Sequence, residues 1–264
     1  MLKIDIRKGF VALTLCTFAL CTIALAANET ELEPDYLYWK GTKLYGEKNY
    51  EEALDYLDRA LAQDANYTNA WLYRGHAQKV LKSYNKSLES YDKVLELDPN
   101  SHSAWHNKAD VYSRQKDYAS AIAAELEATN LSANSKYYWY MVGYYQQRMG
   151  EFEASLNAFD KAIDIDPAYK DALYRKGVSI MATGNPMGAI TCYDDAIEAD
   201  PDYYLAYNAK GLALETGGQY AEALNNYDKA LEIRSTYTQA KNNRMHVLLR
   251  LKNYKDSMEC FMTL

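Results

Sequence analysis

Cysteine, proline and glycine are all scarce, with four, five and twelve copies in 264 residues. Each scarcity closes off a class of protein. Glycine and proline at this level exclude a collagen-like or low-complexity chain. Two of the cysteines, Cys16 and Cys21, fall near the start of the chain, leaving only Cys192 and Cys260 in the body. That body must be held by its apolar core, which a chain of this length can supply. An excess of basic charge is also missing. The net charge of −7 argues against a nucleic-acid partner, because binding phosphates needs a basic face that displaces counterions. There is no Gly-x-Ser-x-Gly elbow, no Gly-x-x-x-x-Gly-Lys-Ser/Thr phosphate loop and no His-Glu-x-x-His pair, so neither catalysis nor a cofactor is expected. His102 and His106 are four apart on one helix face, with His76 and Asp110 expected nearby. No further His or Cys stands at a motif spacing, and no metal site is expected.

Tyrosine is what the chain has in excess, with 26 copies against five phenylalanines and four tryptophans. A ring with a polar tip can pack on one side and meet water or a partner on the other.

Residues 1–27 form a separate object. Lys3, Arg7 and Lys8 against Asp5 give a net of +2, and the stretch from Gly9 to Ala27 then carries no charge. A helix of that length spans roughly 28 Å at about 1.5 Å per residue, close to a bilayer core. The Ala24-Leu25-Ala26 end suits a signal peptidase. Residues 1–27 are therefore expected to be a signal peptide or an N-terminal membrane anchor, followed by a linker over 28–33. The basic flank stays in the cytoplasm and the rest is exported: secreted, at the cell surface, or anchored by this segment. Leu15 and Leu20 precede Cys16 and Cys21 where a lipoprotein site has a small residue, so both cysteines read as parts of the apolar run. Four Asn-x-Ser/Thr triplets begin at Asn28, Asn66, Asn85 and Asn130. Asn28, in the linker, is the most accessible should the source glycosylate exported proteins.

From Pro34 onward the chain repeats at a constant interval without insertion or deletion. A small-residue column holds Ala53, Ser87, Ala121, Ser155, Ala189, Ala223 and Ser257. Four residues later stand Leu57, Tyr91, Glu125, Phe159, Tyr193, Tyr227 and Phe261. An earlier column reads Gly41, Gly75, Ala109, Gly143, Gly177 and Gly211, preceded at four residues by Leu37, Trp71, Trp105, Trp139, Leu173 and Tyr207. Within a unit the apolar residues recur at three and four, one helical stripe. The pairs Asp98-Pro99, Asp166-Pro167 and Asp200-Pro201 mark unit ends.

These columns resemble the tetratricopeptide repeat family over Pro34 to Leu264. The units are 34–67, 68–101, 102–135, 136–169, 170–203 and 204–237, with a partial one at 238–264. Unit three departs from the family pattern at Ala109 and Glu125. The resemblance implies an all-α, right-handed superhelical solenoid of helix-turn-helix repeats whose first helices line a concave groove. It also implies a protein-interaction scaffold, here outside the cytoplasm, binding a peptide, helix or folded partner. Position 5 of the units never holds the lysine of the chaperone-tail clamp, so that ligand is not expected. Carrying the family's groove positions across puts His106, Arg114, Tyr137, Tyr140, Tyr144 and Arg148 on that side, with Tyr174 beside them. Tyr138 and Tyr145 are expected to pack between helices instead. The alternative is a structural spacer or self-assembling part of an envelope or cell-surface complex. It rests on the apolar chain end at Met258, Phe261, Met262 and Leu264, where such arrays need a polar cap. Cys192 and Cys260 share one repeat position two units apart, roughly 20 Å at about 10 Å per packed layer. A disulfide needs α-carbons within about 7 Å, so both are expected as free thiols.

Overall fold

The computed structural model describes residues 32–251. The segment 1–27, Asn28, Cys260 and the apolar residues from Met258 to Leu264 lie outside the described residues.

Thirteen α-helices occupy the described chain, with no strand among the described residues. They fall into two compact units, divided between Pro99 and Asn100. The first holds α1 (Pro34–Gly46), α2 (Tyr50–Gln63), α3 (Thr68–Val80) and α4 (Tyr84–Leu97). The second holds α5 (His102–Arg114), α6 (Tyr118–Leu131), α7 (Lys136–Met149), α8 (Phe152–Ile165), α9 (Lys170–Ala182), α10 (Pro186–Ala199), α11 (Tyr204–Thr216), α12 (Tyr220–Ile233) and α13 (Thr238–Arg250). Odd-numbered helices start at Pro34, Thr68, His102, Lys136, Lys170, Tyr204 and Thr238, one at the head of every repeat and all in the same register. In each unit a helix packs on the next to form hairpins, and successive hairpins stack. The fold is an all-α helical-repeat solenoid. None of the described helices is long and apolar enough to cross a membrane.

One turn geometry recurs inside the hairpins. Lys48, Lys82, Lys116, Gly150, Gly184 and Gly218 all have left-handed φ, between 59° and 86°. The following amide then reaches back into the last turn of the helix, as in Asn49 N to Leu44 O at 2.9 Å and Glu151 N to Gln146 O at 2.9 Å. This closes the carbonyls that the helix end leaves free.

Packing within a hairpin explains the glycine column. A Cβ on Gly177 would sit 2.5 Å from Cε1 of Tyr193, and one on Gly75 would sit 2.6 Å from Cε1 of Tyr91. The missing side chain is the slot for the ring. Ala109 and Glu125 break both columns together, and both are completely buried. Gly41 makes the same room for Leu57, whose Cγ would stand 2.8 Å from an added Cβ, whereas Glu125 turns its carboxylate to His106. The two departures from the repeat pattern compensate each other.

Candidate functional site

The odd-numbered helices of a unit touch their odd-numbered neighbours, α1 on α3, α7 on α9, α9 on α11 and α11 on α13. They line one side of each stack. In the second unit, α5, α7 and α9 carry the residues singled out from the repeat positions. α7 runs with tyrosines at 137, 140 and 144, and the three-and-four spacing sets them in one stripe. Tyr137 is 44% exposed. Tyr140 and Tyr144 are half-buried, as is Tyr174 on α9.

Tyr140, Tyr144 and Tyr174 also belong to the core. Tyr140 packs on the Phe159 cluster, with its centroid 6.1 Å from Phe159 and 5.4 Å from Tyr169. Tyr144 lies against Ala109, Ala121, Ala124 and Tyr145. Tyr174 packs between the Leu173 and Tyr193 clusters, 5.6 Å from Tyr203. Core packing and partial exposure are thus shared by the same side chains. Tyr145, read as an interhelix ring, is 1% exposed, whereas Tyr138 keeps an intermediate exposure and meets His102 through its hydroxyl at 2.7 Å from Nδ1.

The cations of this side differ in their partners. Arg114 Nε donates to Asp110 Oδ1 at 3.1 Å, one turn back on α5. Arg148, at the end of α7, donates to the Tyr144 hydroxyl at 3.2 Å and lies over the Tyr118 ring at 5.1 Å. Arg175 on α9 lies over the faces of Tyr144, at 5.0 Å, and Tyr174, at 6.0 Å. Burial pushes the Tyr140 and Tyr174 phenols up, and the charge of Arg175 opposes that rise at both.

The His106 side chain is 21% exposed and meets Glu125 on α6. Its Nδ1 is 2.9 and 3.0 Å from the two oxygens of Glu125, and its ring is 5.2 Å from Tyr137. Burial pushes the Glu125 carboxyl up, the His106 hydrogen bond and charge pull it down, and Asp110 adds to the rise. No group of three or more His, Cys, Asp or Glu able to hold a metal occurs among the described residues. Cys192 is buried and free, and burial raises its thiol.

Two features were not singled out from the sequence. One is Arg175, which lies over Tyr144 of the stripe and over its neighbour Tyr174. The second is a cavity of about 300 Å³ between α9 and α11, walled by Tyr174, Val178, Met181, Leu212 and Tyr237. Tyr237 closes a unit and enters from the residue just before α13.

Family profiles described as tetratricopeptide repeat match residues 19–68, 68–101, 90–123, 137–169 and 181–238. No curated protein matches the chain. Among solved structures, MamA is 27% identical, covering 62% of this chain and 96% of its own at a TM-score of 0.57. YrrB, a TPR protein with an unusual peptide-binding site, is 20% identical over 70% of this chain and 95% of its own, with a TM-score of 0.57. PilF of Pseudomonas aeruginosa is 15% identical over 81% of this chain and 96% of its own, at 0.62; at such identities the likeness of these last two is one of fold. With the profile matches spread along the chain and the helical hairpins recurring in step, the protein belongs to the tetratricopeptide repeat family.

Proposed function

We propose that the protein is an interaction scaffold, working outside the cytoplasm, that holds a peptide, helix or folded partner along α7, α9 and α11. The observation that carries this reading is the stripe of Tyr137, Tyr140, Tyr144 and Tyr174. The last three rings pack on core clusters and keep part of their surface exposed, which supports a surface for a ligand to cover. Rigid, half-buried tyrosines with neighbouring arginines are the composition of interface hot spots, and anchoring removes much of the ordering cost of binding. The peptide-binding site of YrrB agrees with a ligand on such a scaffold. The sequence lacks the motifs of an enzyme, so binding itself is the activity. The export half of the proposal rests on the basic flank, the uncharged run from Gly9 to Ala27 and the acidic stretch after it.

A photo-crosslinking residue in place of Tyr144, in the full chain in intact cells, is expected to capture a distinct protein. The same residue in place of Lys161, on α8, is the control. Equal capture at both positions refutes the groove. For export, a reporter enzyme active only in the cytoplasm, fused after Leu264, is expected to be silent; activity refutes it.

A further inference from the structure

The leading face of α1 is built unlike the corresponding faces of later units. The third residue of the leading helix is a buried alanine in five later units: Ala70, Ala104, Ala172, Ala206 and Ala240 are each 0% exposed. Unit four has Tyr138 there, half-buried and bonded to His102. The tenth residue is buried in every later unit, as with Ala77, Val111, Ser179 and Ala213 at 0%. These places receive the hairpin before: Ala70 packs on Leu57 and Leu61, and Val247 on Ala223 and Tyr227. In α1 they hold Tyr36, 45% exposed, and Lys43, whose side chain is 50% exposed. A preceding helix would meet a ring in place of a methyl group and would have to dehydrate the ammonium. This face is therefore not shaped for another repeat. Tyr36, Trp39, Lys40 and Lys43 follow the three-and-four spacing of one helix side. Trp39 is 52% exposed, 5.7 Å from the Tyr36 ring and 5.5 Å from Lys43 Nζ. Trp71, Trp105 and Trp139 are all half-buried.

The chain reaches this face on a short tether. Gln63 Nε2 donates to the Leu32 carbonyl at 3.0 Å, which ties the entry of α1 to the end of α2. Residues 28–31 separate Leu32 from Ala27, the end of the uncharged run, a reach of at most about 17 Å. Resting on the export reading above in its anchored form, we infer that the side of α1 bearing Tyr36, Trp39 and Lys43 docks on the outer surface of the bilayer that holds residues 9–27. Indole and phenol rings settle between headgroups and acyl chains. Lysines there lay their stems on apolar surface and keep the ammonium in water. Glu47 Oε1 stands 3.9 Å from Lys43 Nζ, and Glu33 and Asp35 adjoin the patch in sequence. The face thus carries no surplus of positive charge and fits a zwitterionic interface that rings enter, not an anionic one held by charge. The anchor makes the contact intramolecular, so a small aromatic patch is enough.

The test uses the full chain reconstituted in vesicles of dioleoylphosphatidylcholine, with and without bromine on the acyl chains. Residues 1–27 hold no tryptophan, and Trp39 is one of four in the chain. Brominated lipid is expected to quench the emission of the unaltered chain. Trp39→Phe should abolish that quenching while the emission of the other three persists. Tyr36→Ser, which leaves the reporter in place, should lower the quenching. Iodide in the water should reach Trp39 less well in vesicles than in detergent. Flotation in a density gradient tests the anchor separately. A chain that floats while brominated lipid leaves Trp39 bright overturns the docking and leaves the anchor standing. Trp39 shielded from iodide yet not quenched by the lipid means that residues before Leu32 or a second copy cover the face, and this too overturns the docking. Quenching that survives Trp39→Phe puts a different tryptophan at the bilayer and overturns the assigned face. A chain that does not float overturns the anchor, and the docking with it.

Discussion

Adding one methyl group at Gly177 separates packing from helix propensity. An alanine gains about 1 kcal/mol over glycine inside a helix from propensity alone. Against that, its Cβ would stand 2.5 Å from Tyr193 Cε1, 2.9 Å from Cδ1 and 3.0 Å from Cζ. Carbon atoms in contact prefer about 3.5–4.0 Å, so the ring must retreat by roughly 1 Å. Tyr193 is 2% exposed and lies against Tyr174 at 6.1 Å, so the retreat displaces packed neighbours, at a cost of about 1–3 kcal/mol. Gly177→Ala is therefore expected to destabilise by up to about 2 kcal/mol, read as a lower urea midpoint by far-ultraviolet dichroism at unchanged slope. The opposite change in unit three, Ala109→Gly, should also destabilise, by about 1 kcal/mol. A second test moves the ring. Glu125→Tyr should be costly on its own and be rescued by at least about 1 kcal/mol when Ala109→Gly is added. A higher midpoint for Gly177→Ala, or additivity at positions 109 and 125, refutes the slot.

The turns offer a second test: Lys82→Gly relieves a left-handed φ of 59° and should stabilise by about 0.5–1 kcal/mol, whereas Gly184→Ala should lose a similar amount, both by urea midpoint. Glu125 has a folded carboxyl raised by burial, so its contribution is fully present below its ordinary value and is lost as pH rises towards the folded one. The stability of the wild type minus that of Glu125→Gln should thus fall as pH rises above about 4.5; a difference that grows with pH refutes this. Tyr144→Phe keeps the face on which Arg175 stacks and removes the hydroxyl that Arg148 contacts. It should move the melting midpoint little, since an exposed hydrogen bond is worth about 0.5–1.5 kcal/mol at most. Tyr140→Ala should lower stability by about 2 kcal/mol or more, because its ring packs on Phe159 and Tyr169; an unchanged midpoint would place that ring outside the core.

The repeat was legible because the constraint that writes it recurs. Every hairpin needs a close crossing, so small residues and their large partners fall at a fixed spacing, and the first helices begin in one register from Pro34 to Thr238. Unit three shows where the sequence pattern stops being enough. Ala109 and Glu125 each look like a lapse in a column, and only the ring-in-slot geometry makes them one compensated change. The tyrosine stripe has a similar limit. A spacing of three and four puts Tyr137, Tyr140 and Tyr144 on one face, but how deep each ring sinks depends on what α8 and α9 place beneath it. Charge pairing is the least readable of all. Asp171 and Arg175 have the spacing of an intrahelical ion pair, yet the carboxylate goes to Tyr203, at the end of its repeat, and the guanidinium to Tyr144, in the repeat before. Both choices are made by the stacking of helices, through side chains whose one-dimensional neighbours give no sign of them. The array's own periodicity is what makes such departures from local pairing visible once the stacking is known.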